Sequence, residues 1–175
     1  MNQSNIKNTK PIIWFTGLPG SGKTTVSKLV YKLLIKKKFK KIKLIDGDIF
    51  RKKIKNFRYS HFNRNKVGNL KLKYGKKYNL RGYMVLISGV ASNKNWRKKI
   101  KISNSNLIEV YIKCPKRILK KRTKKNLYFL NQIPRYEEGN TKDITINTHK
   151  QKKFESAKKI LRYLISKKIM KKNNY

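Results

Sequence analysis

Ile12-Ile13-Trp14-Phe15-Thr16-Gly17-Leu18-Pro19-Gly20-Ser21-Gly22-Lys23-Thr24-Thr25 decides how the rest of the chain is read. The opening residues, Ile12 to Thr16, form an apolar run of strand length. Gly17 to Thr24 fits G-x-x-x-x-G-K-[ST] in full. After it, Val26, Leu29, Val30, Leu33 and Leu34 recur at three- and four-residue spacing, which predicts a helix over 22–35. Strand, glycine loop and helix in that order form a phosphate cradle. Glycines let the backbone turn its N–H groups inward, and the helix start adds a partial positive charge. Gly17, Leu18, Pro19, Gly20, Ser21, Gly22, Lys23, Thr24 and Thr25 are therefore the candidate ATP-binding residues. Lys23 would reach the β- and γ-phosphates, and the Thr24 hydroxyl would hold Mg²⁺.

Outward from the cradle, short apolar runs alternate with longer amphipathic ones. Strands are expected at 12–16, 42–45, 83–88, 107–112 and 144–146. Helices are expected at 22–35, 49–56, 64–79, 95–102, from Pro115 to about Lys124, and at 151–168. The segment around Tyr59–Asn63 reads as a turn, and residues 125–142 read as a loop. The alternation predicts an α/β, three-layer P-loop NTPase fold with a parallel five-stranded sheet and helices on both faces. Ligands in such sheets sit beyond the C-terminal strand ends.

Composition sets outer limits. The 175 residues suit one domain and are too few for two. Residues 1–10 and 171–175 read as loose polar ends. Lys and Arg number 48 against 7 Asp and Glu, a formal +41. Most of that excess is Lys spread along the whole chain, so it reads as compositional drift with nonspecific polyanion affinity as a by-product. The one cysteine, Cys114, excludes an internal disulfide and suits a small core thiol. No apolar stretch is long enough for a membrane span, and no signal-peptide segment opens the chain, which together suggest a cytoplasmic protein. His61 and His149 have no ligand-spaced partners, so no zinc site is read.

A phosphate cradle alone does not separate kinases from GTPases or motors. No N-K-x-D guanine signature is present, and no second domain. The second expected strand ends in Asp46-Gly47-Asp48, with Arg51 one helical turn on. In a parallel sheet this end lies beside the cradle. Asp48 there can orient a hydroxyl and accept its proton, or serve as a helix N-cap. Arg51 can grip an anionic acceptor or be a surface charge. Lys23 and Asp48 are the candidate catalytic pair.

These stretches resemble the adenylylsulfate kinase (APS kinase) family. The resemblance rests on Trp14 to Thr25, on Leu44-Ile45-Asp46-Gly47-Asp48 and on Arg51, and it continues through Tyr59-Ser60, Arg64, Arg97, Ile108 to Ile112, Arg122, Lys125, Leu127, Tyr128 and Tyr136-Glu137. It implies an ATP- and Mg²⁺-dependent kinase that phosphorylates the 3′-hydroxyl of adenosine 5′-phosphosulfate to give PAPS in sulfate assimilation. It also implies a homodimer. It assigns Arg51 and Arg64 to the acceptor's anionic group, Tyr59 to stacking on the acceptor base, and Arg122 to the ATP adenine. The chain departs from the family at Asn63, Val67, Val90-Ala91-Ser92, Thr123 and Asn126, and its lid over 125–142 is shortened. Two other readings stay open: a P-loop kinase acting on another small nucleotide-like acceptor, and a non-catalytic nucleotide or nucleic-acid binder.

Overall fold

The computed structural model of the chain describes residues 10–122 and 136–170. The loose ends at 1–9 and 171–175, and Lys125, Leu127 and Tyr128 of the lid entrance, lie outside the described residues. The element order is β1 (Ile12–Thr16), α1 (Lys23–Lys36), β2 (Ile42–Ile45), α2 (Gly47–Lys53), α3 (His61–Asn79), β3 (Met84–Ser88), α4 (Lys94–Ile102), β4 (Leu107–Lys113), α5 (Lys116–Arg122), β5 (Ile144–Asn147) and α6 (Lys153–Ser166).

The strands form one sheet in the order β2-β3-β1-β4-β5, with every pairing parallel. Both faces of the sheet are covered, so β1 and β3 at its centre are near-continuous apolar runs rather than alternating with polar residues. Side-chain alternation still divides them. Ile13, Phe15, Met84, Leu86, Val110 and Ile112 face α1 and α6, meeting Val26, Val30, Ile160 and Leu164. Ile12, Trp14, Val85 and Ile87 face the other way, meeting Val67 of α3 and Trp96 of α4. Each large side chain buried here contributes roughly 1.5–3 kcal/mol of transfer free energy.

The strands fall within a residue of their expected positions. The helix starts between β2 and β3 do not. The helix expected over 49–56 is α2, which begins at Gly47 and ends at Lys53. The helix expected from Arg64 begins at His61, because the Ser60 hydroxyl accepts from Asn63 N and caps it. The expected turn at Tyr59–Asn63 is therefore two residues of turn followed by helix. Polar capping chemistry placed both boundaries, and hydrophobic spacing does not register it.

The sheet order fixes where a ligand sits. From β1 the chain crosses to β2 and β3 on one side, then to β4 and β5 on the other. That reversal opens a crevice at the C-terminal ends of β1 and β3.

Candidate active site

The loop after β1 takes left-handed φ values at Gly17 (140°), Gly20 (74°) and Gly22 (98°). A Cβ on Gly17 would sit 2.4 Å from the Ile112 carbonyl oxygen, so no other residue fits there. Gly22 is the N-cap of α1 and supplies no side-chain cap, leaving the first N–H groups of the helix for a ligand. Ser21 Oγ is buried without a hydrogen-bond partner among the described residues. A buried hydroxyl left unpaired in a concave run of amides fits a phosphate oxygen.

Lys23 Nζ donates to Leu18 O at 2.7 Å, folding the side chain back over the loop. Burial draws its pKa down to about 8, with Arg64 pushing the same way and the carboxylates of Asp48 and Asp46 opposing. A polyanion in the loop would restore the full charge. Thr24 Oγ1 donates to Asp46 Oδ2 at 2.8 Å. Asp46 also accepts from the Ser88 hydroxyl at 3.3 Å and, through Oδ1, from the N–H groups of Asp48 and Ile49. Burial opposes its ionisation, but these four donors together hold the carboxyl below its usual range.

The N-cap of α2 is therefore Asp46, and the helix-cap alternative for Asp48 does not hold. Asp48 lies exposed in the first turn of α2, where its carboxylate interacts electrostatically with Lys23, Arg51 and Lys71. Among the described residues its side chain makes no hydrogen bond or ion pair.

The sequence-assigned acceptor residues come together. Arg51 and Arg64, 8% and 6% exposed, are not surface charges. Both guanidinium groups pack on the Tyr59 ring, at 4.8 and 5.3 Å from its centroid. Arg51 Nη1 donates to Arg58 O and Asn56 O, and Arg64 Nε donates to Tyr59 O at 2.8 Å. The Tyr59 ring itself is 42% exposed, so it is not a core aromatic.

Arg122 lies on the opposite side of the cradle. Its Nη2 donates to Thr148 O at 3.1 Å, and Thr148 Oγ1 donates to Ser21 O at 2.8 Å. Thr148 thus ties the end of α5 to the phosphate loop. Arg97 has a structural role: it pairs with Glu109 of β4 at 3.0 Å, both side chains nearly fully buried, and donates to Ala91 O at 2.6 Å. Cys114 is buried beside Leu18, Tyr111, Leu119 and Tyr136.

Comparison with known proteins identifies the family. The family model described as adenylylsulphate kinase matches residues 9–157. The chain belongs to the adenylylsulphate kinase family. It is an ATP-dependent phosphotransferase with a hydroxyl acceptor. The adenylyl-sulfate kinase of Thermodesulfovibrio yellowstonii is 33% identical over 177 residues, covering 87% of this chain and 82% of the relative. The cytidine diphosphoramidate kinase of Campylobacter jejuni is 35% identical over 127 residues, covering 70% of this chain and 72% of the relative. The Mycobacterium tuberculosis APS kinase, solved in complex with AMPPNP and APS, shares the fold at a TM-score of 0.71 and 21% identity, over 89% of this chain and 98% of that one.

The sequence marks the Asp46-Gly47-Asp48 strand end as a place for a carboxylate but assigns the role by name to Asp48 alone, and it does not point to Ser88 or Thr148. Asp46 carried a usable signal, since a carboxylate closing a strand beside a phosphate loop is placed to meet Thr24. Ser88 and Thr148 carried none, because only the strand order brings them to the loop.

Proposed function

We propose that this kinase moves the γ-phosphate of ATP onto the ribose 3′-hydroxyl of a small nucleotide whose 5′-phosphate bears a further anionic group. The observation that best supports the reading is that the Asp48 carboxylate interacts electrostatically both with Lys23 of the phosphate loop and with Arg51, which packs on Tyr59 together with Arg64. ATP lies along residues 17–25 in this reading, with Arg122 toward its adenine. The acceptor base lies on Tyr59, and its 5′ anion meets the arginines.

The donor set also suits Mg²⁺. The Thr24 hydroxyl and the well-ionised Asp46 carboxylate stand 2.8 Å apart beside the loop, both hard oxygen ligands. When bound, the ion neutralises charge on the phosphate oxygens. The chain's own residues do the rest. Lys23 leaves the Leu18 carbonyl to take the β- and γ-oxygens, stabilising charge as the γ-phosphoryl moves in line. Asp48 orients the incoming hydroxyl and accepts its proton. Arg51 and Arg64, already ordered by Tyr59, hold the acceptor with little further ordering cost.

Two acceptors fit this chemistry. Adenosine 5′-phosphosulfate, giving PAPS in sulfate assimilation, follows from the family. A cytidine diphosphoramidate is suggested by the Campylobacter jejuni relative, and Val67 and Ala91, where the chain departs from the adenylylsulfate kinase pattern, leave room for an acceptor other than adenosine 5′-phosphosulfate. The deciding assay supplies MgATP with each acceptor and measures ADP together with the phosphorylated nucleotide. Product from either acceptor, carrying the new phosphate on the 3′ oxygen, is expected. Absence of acceptor-dependent ADP with both would overturn the reading.

A further inference from the structure

Lys71 is 3% exposed, although lysine is almost never buried without a partner. It lies on α3 one turn past Val67 and two past Arg64, on the same helix face. Helical side chains lean back toward the N-terminus, which carries its ammonium toward the acceptor residues.

The ammonium occupies a slot between two strand ends. A Cβ on Gly89, after β3, would fall 2.1 Å from Nζ, and one on Gly47, after β2, would fall 3.5 Å away. Both positions are glycine, and the lysine fills the space that a side chain would need. Nζ rests 5.3 Å from the centre of the Trp14 ring and makes no hydrogen bond or ion pair among the described residues. The charged groups facing it are Arg51, Lys23, Asp48 and Asp46, the walls of the crevice itself. Burial, with Arg51 and Lys23 adding repulsion, pulls its pKa down to about 7.

Asp48 and Asp46 offset only part of that penalty, so an anion bound in the slot would restore the full charge. Arg51 commits Nη1 to loop carbonyls. Val67, where the family resemblance expects asparagine, is fully buried and offers no polar atom. Lys71 supplies a donor from one turn further along the same face.

We propose that Lys71 is a specificity-determining residue of the acceptor site, its ammonium binding the terminal oxyanion that extends the acceptor's 5′-phosphate. This rests on the nucleotide-acceptor reading above, and it adds the residue that would distinguish a diphosphate-like acceptor from the corresponding monophosphate.

The test is calorimetric, on the full chain loaded with MgADP. Two ligand pairs differ only beyond the 5′-phosphate: adenosine 5′-phosphosulfate against AMP, and CDP against CMP. Wild type should prefer the extended member of at least one pair by about tenfold or more, the strength of a charge-assisted hydrogen bond. Lys71→Met and Lys71→Gln should both lose that preference while keeping the ADP affinity and melting temperature of wild type. A preference that persists in the variants overturns the role of Lys71 and leaves the kinase reading standing. Wild type that binds ADP but shows no preference in either pair also overturns it, and binding of neither base would sink the acceptor reading with it. Unfolding of both variants would assign Lys71 to the fold and equally overturn the proposal.

Discussion

Two sides of one crevice are built by different means. On the side proposed for the donor, residues 17–24 present backbone amides, with three glycines at positive φ and one lysine laid across the loop. On the side proposed for the acceptor, residues 46–71 present side chains: Asp48, Arg51, Tyr59, Arg64 and Lys71, drawn from two helices and the segment between them. A backbone cradle depends on glycine spacing, so it tolerates little change and announces itself in sequence. A side-chain clamp can move its donors from one helical turn to the next, as the role proposed for Lys71, one turn past Val67, would illustrate.

The sharpest way to break this contrast is Gly17→Ala. Its methyl would collide with the Ile112 carbonyl at a φ that alanine rarely adopts. Loss of measurable MgATP binding by calorimetry, with a lowered melting temperature, is expected. Normal binding would mean that the loop is not backbone-determined.

Next in size, Lys23→Ala should lower kcat about 10²–10³-fold, the cost of removing one donor from developing charge. Asp48→Asn should lower kcat about 10²-fold with ATP affinity unchanged, as expected for a residue serving the hydroxyl. If both variants weakened ATP equally and left kcat alone, the division between donor and acceptor sides would be wrong.

Tyr59→Ala should raise the acceptor KM about tenfold and leave the ATP KM within twofold, since base stacking on one ring is worth about 1–3 kcal/mol. An effect on ATP instead would move Tyr59 to the donor side.

The smallest effect concerns Asp46, where the two sides meet. Its folded carboxyl ionises below the ordinary aspartate value, so the unfolded chain binds its proton more tightly. Its stabilising contribution is therefore present above that ordinary value and is lost as pH falls through the folded one. Asp46→Asn keeps the cap but weakens the hydrogen bonds that Thr24 and Ser88 donate to the carboxylate, and should cost about 1 kcal/mol near neutrality, or roughly 2–4 °C in melting temperature. That gap should narrow as pH falls below the ordinary aspartate range. A gap constant with pH would show that the hydrogen bonds to Asp46 do not select its charged form.

The same contrast explains what sequence could reveal. The strand positions were legible because a parallel sheet covered on both faces needs continuous apolar runs, as in Ile12–Phe15 and Met84–Ile87. The cradle was legible because glycine spacing is its mechanism. Arg51, Tyr59 and Arg64 were found through family resemblance, and the structure joins them in one stack. The starts of α2 and α3 were missed because Asp46 and Ser60 set them by local hydrogen bonds. Lys71 was hidden among 48 basic residues, where charge alone does not mark out a buried lysine.

If residues 17–24 and Asp46 hold a magnesium-bound triphosphate as proposed, titrating ATP into the folded wild-type protein with and without Mg²⁺ reads it out. A single site whose affinity rises with magnesium and falls about tenfold or more in Lys23→Ala is the predicted result. Folded protein that takes up no ATP in a magnesium-dependent way would contradict the account.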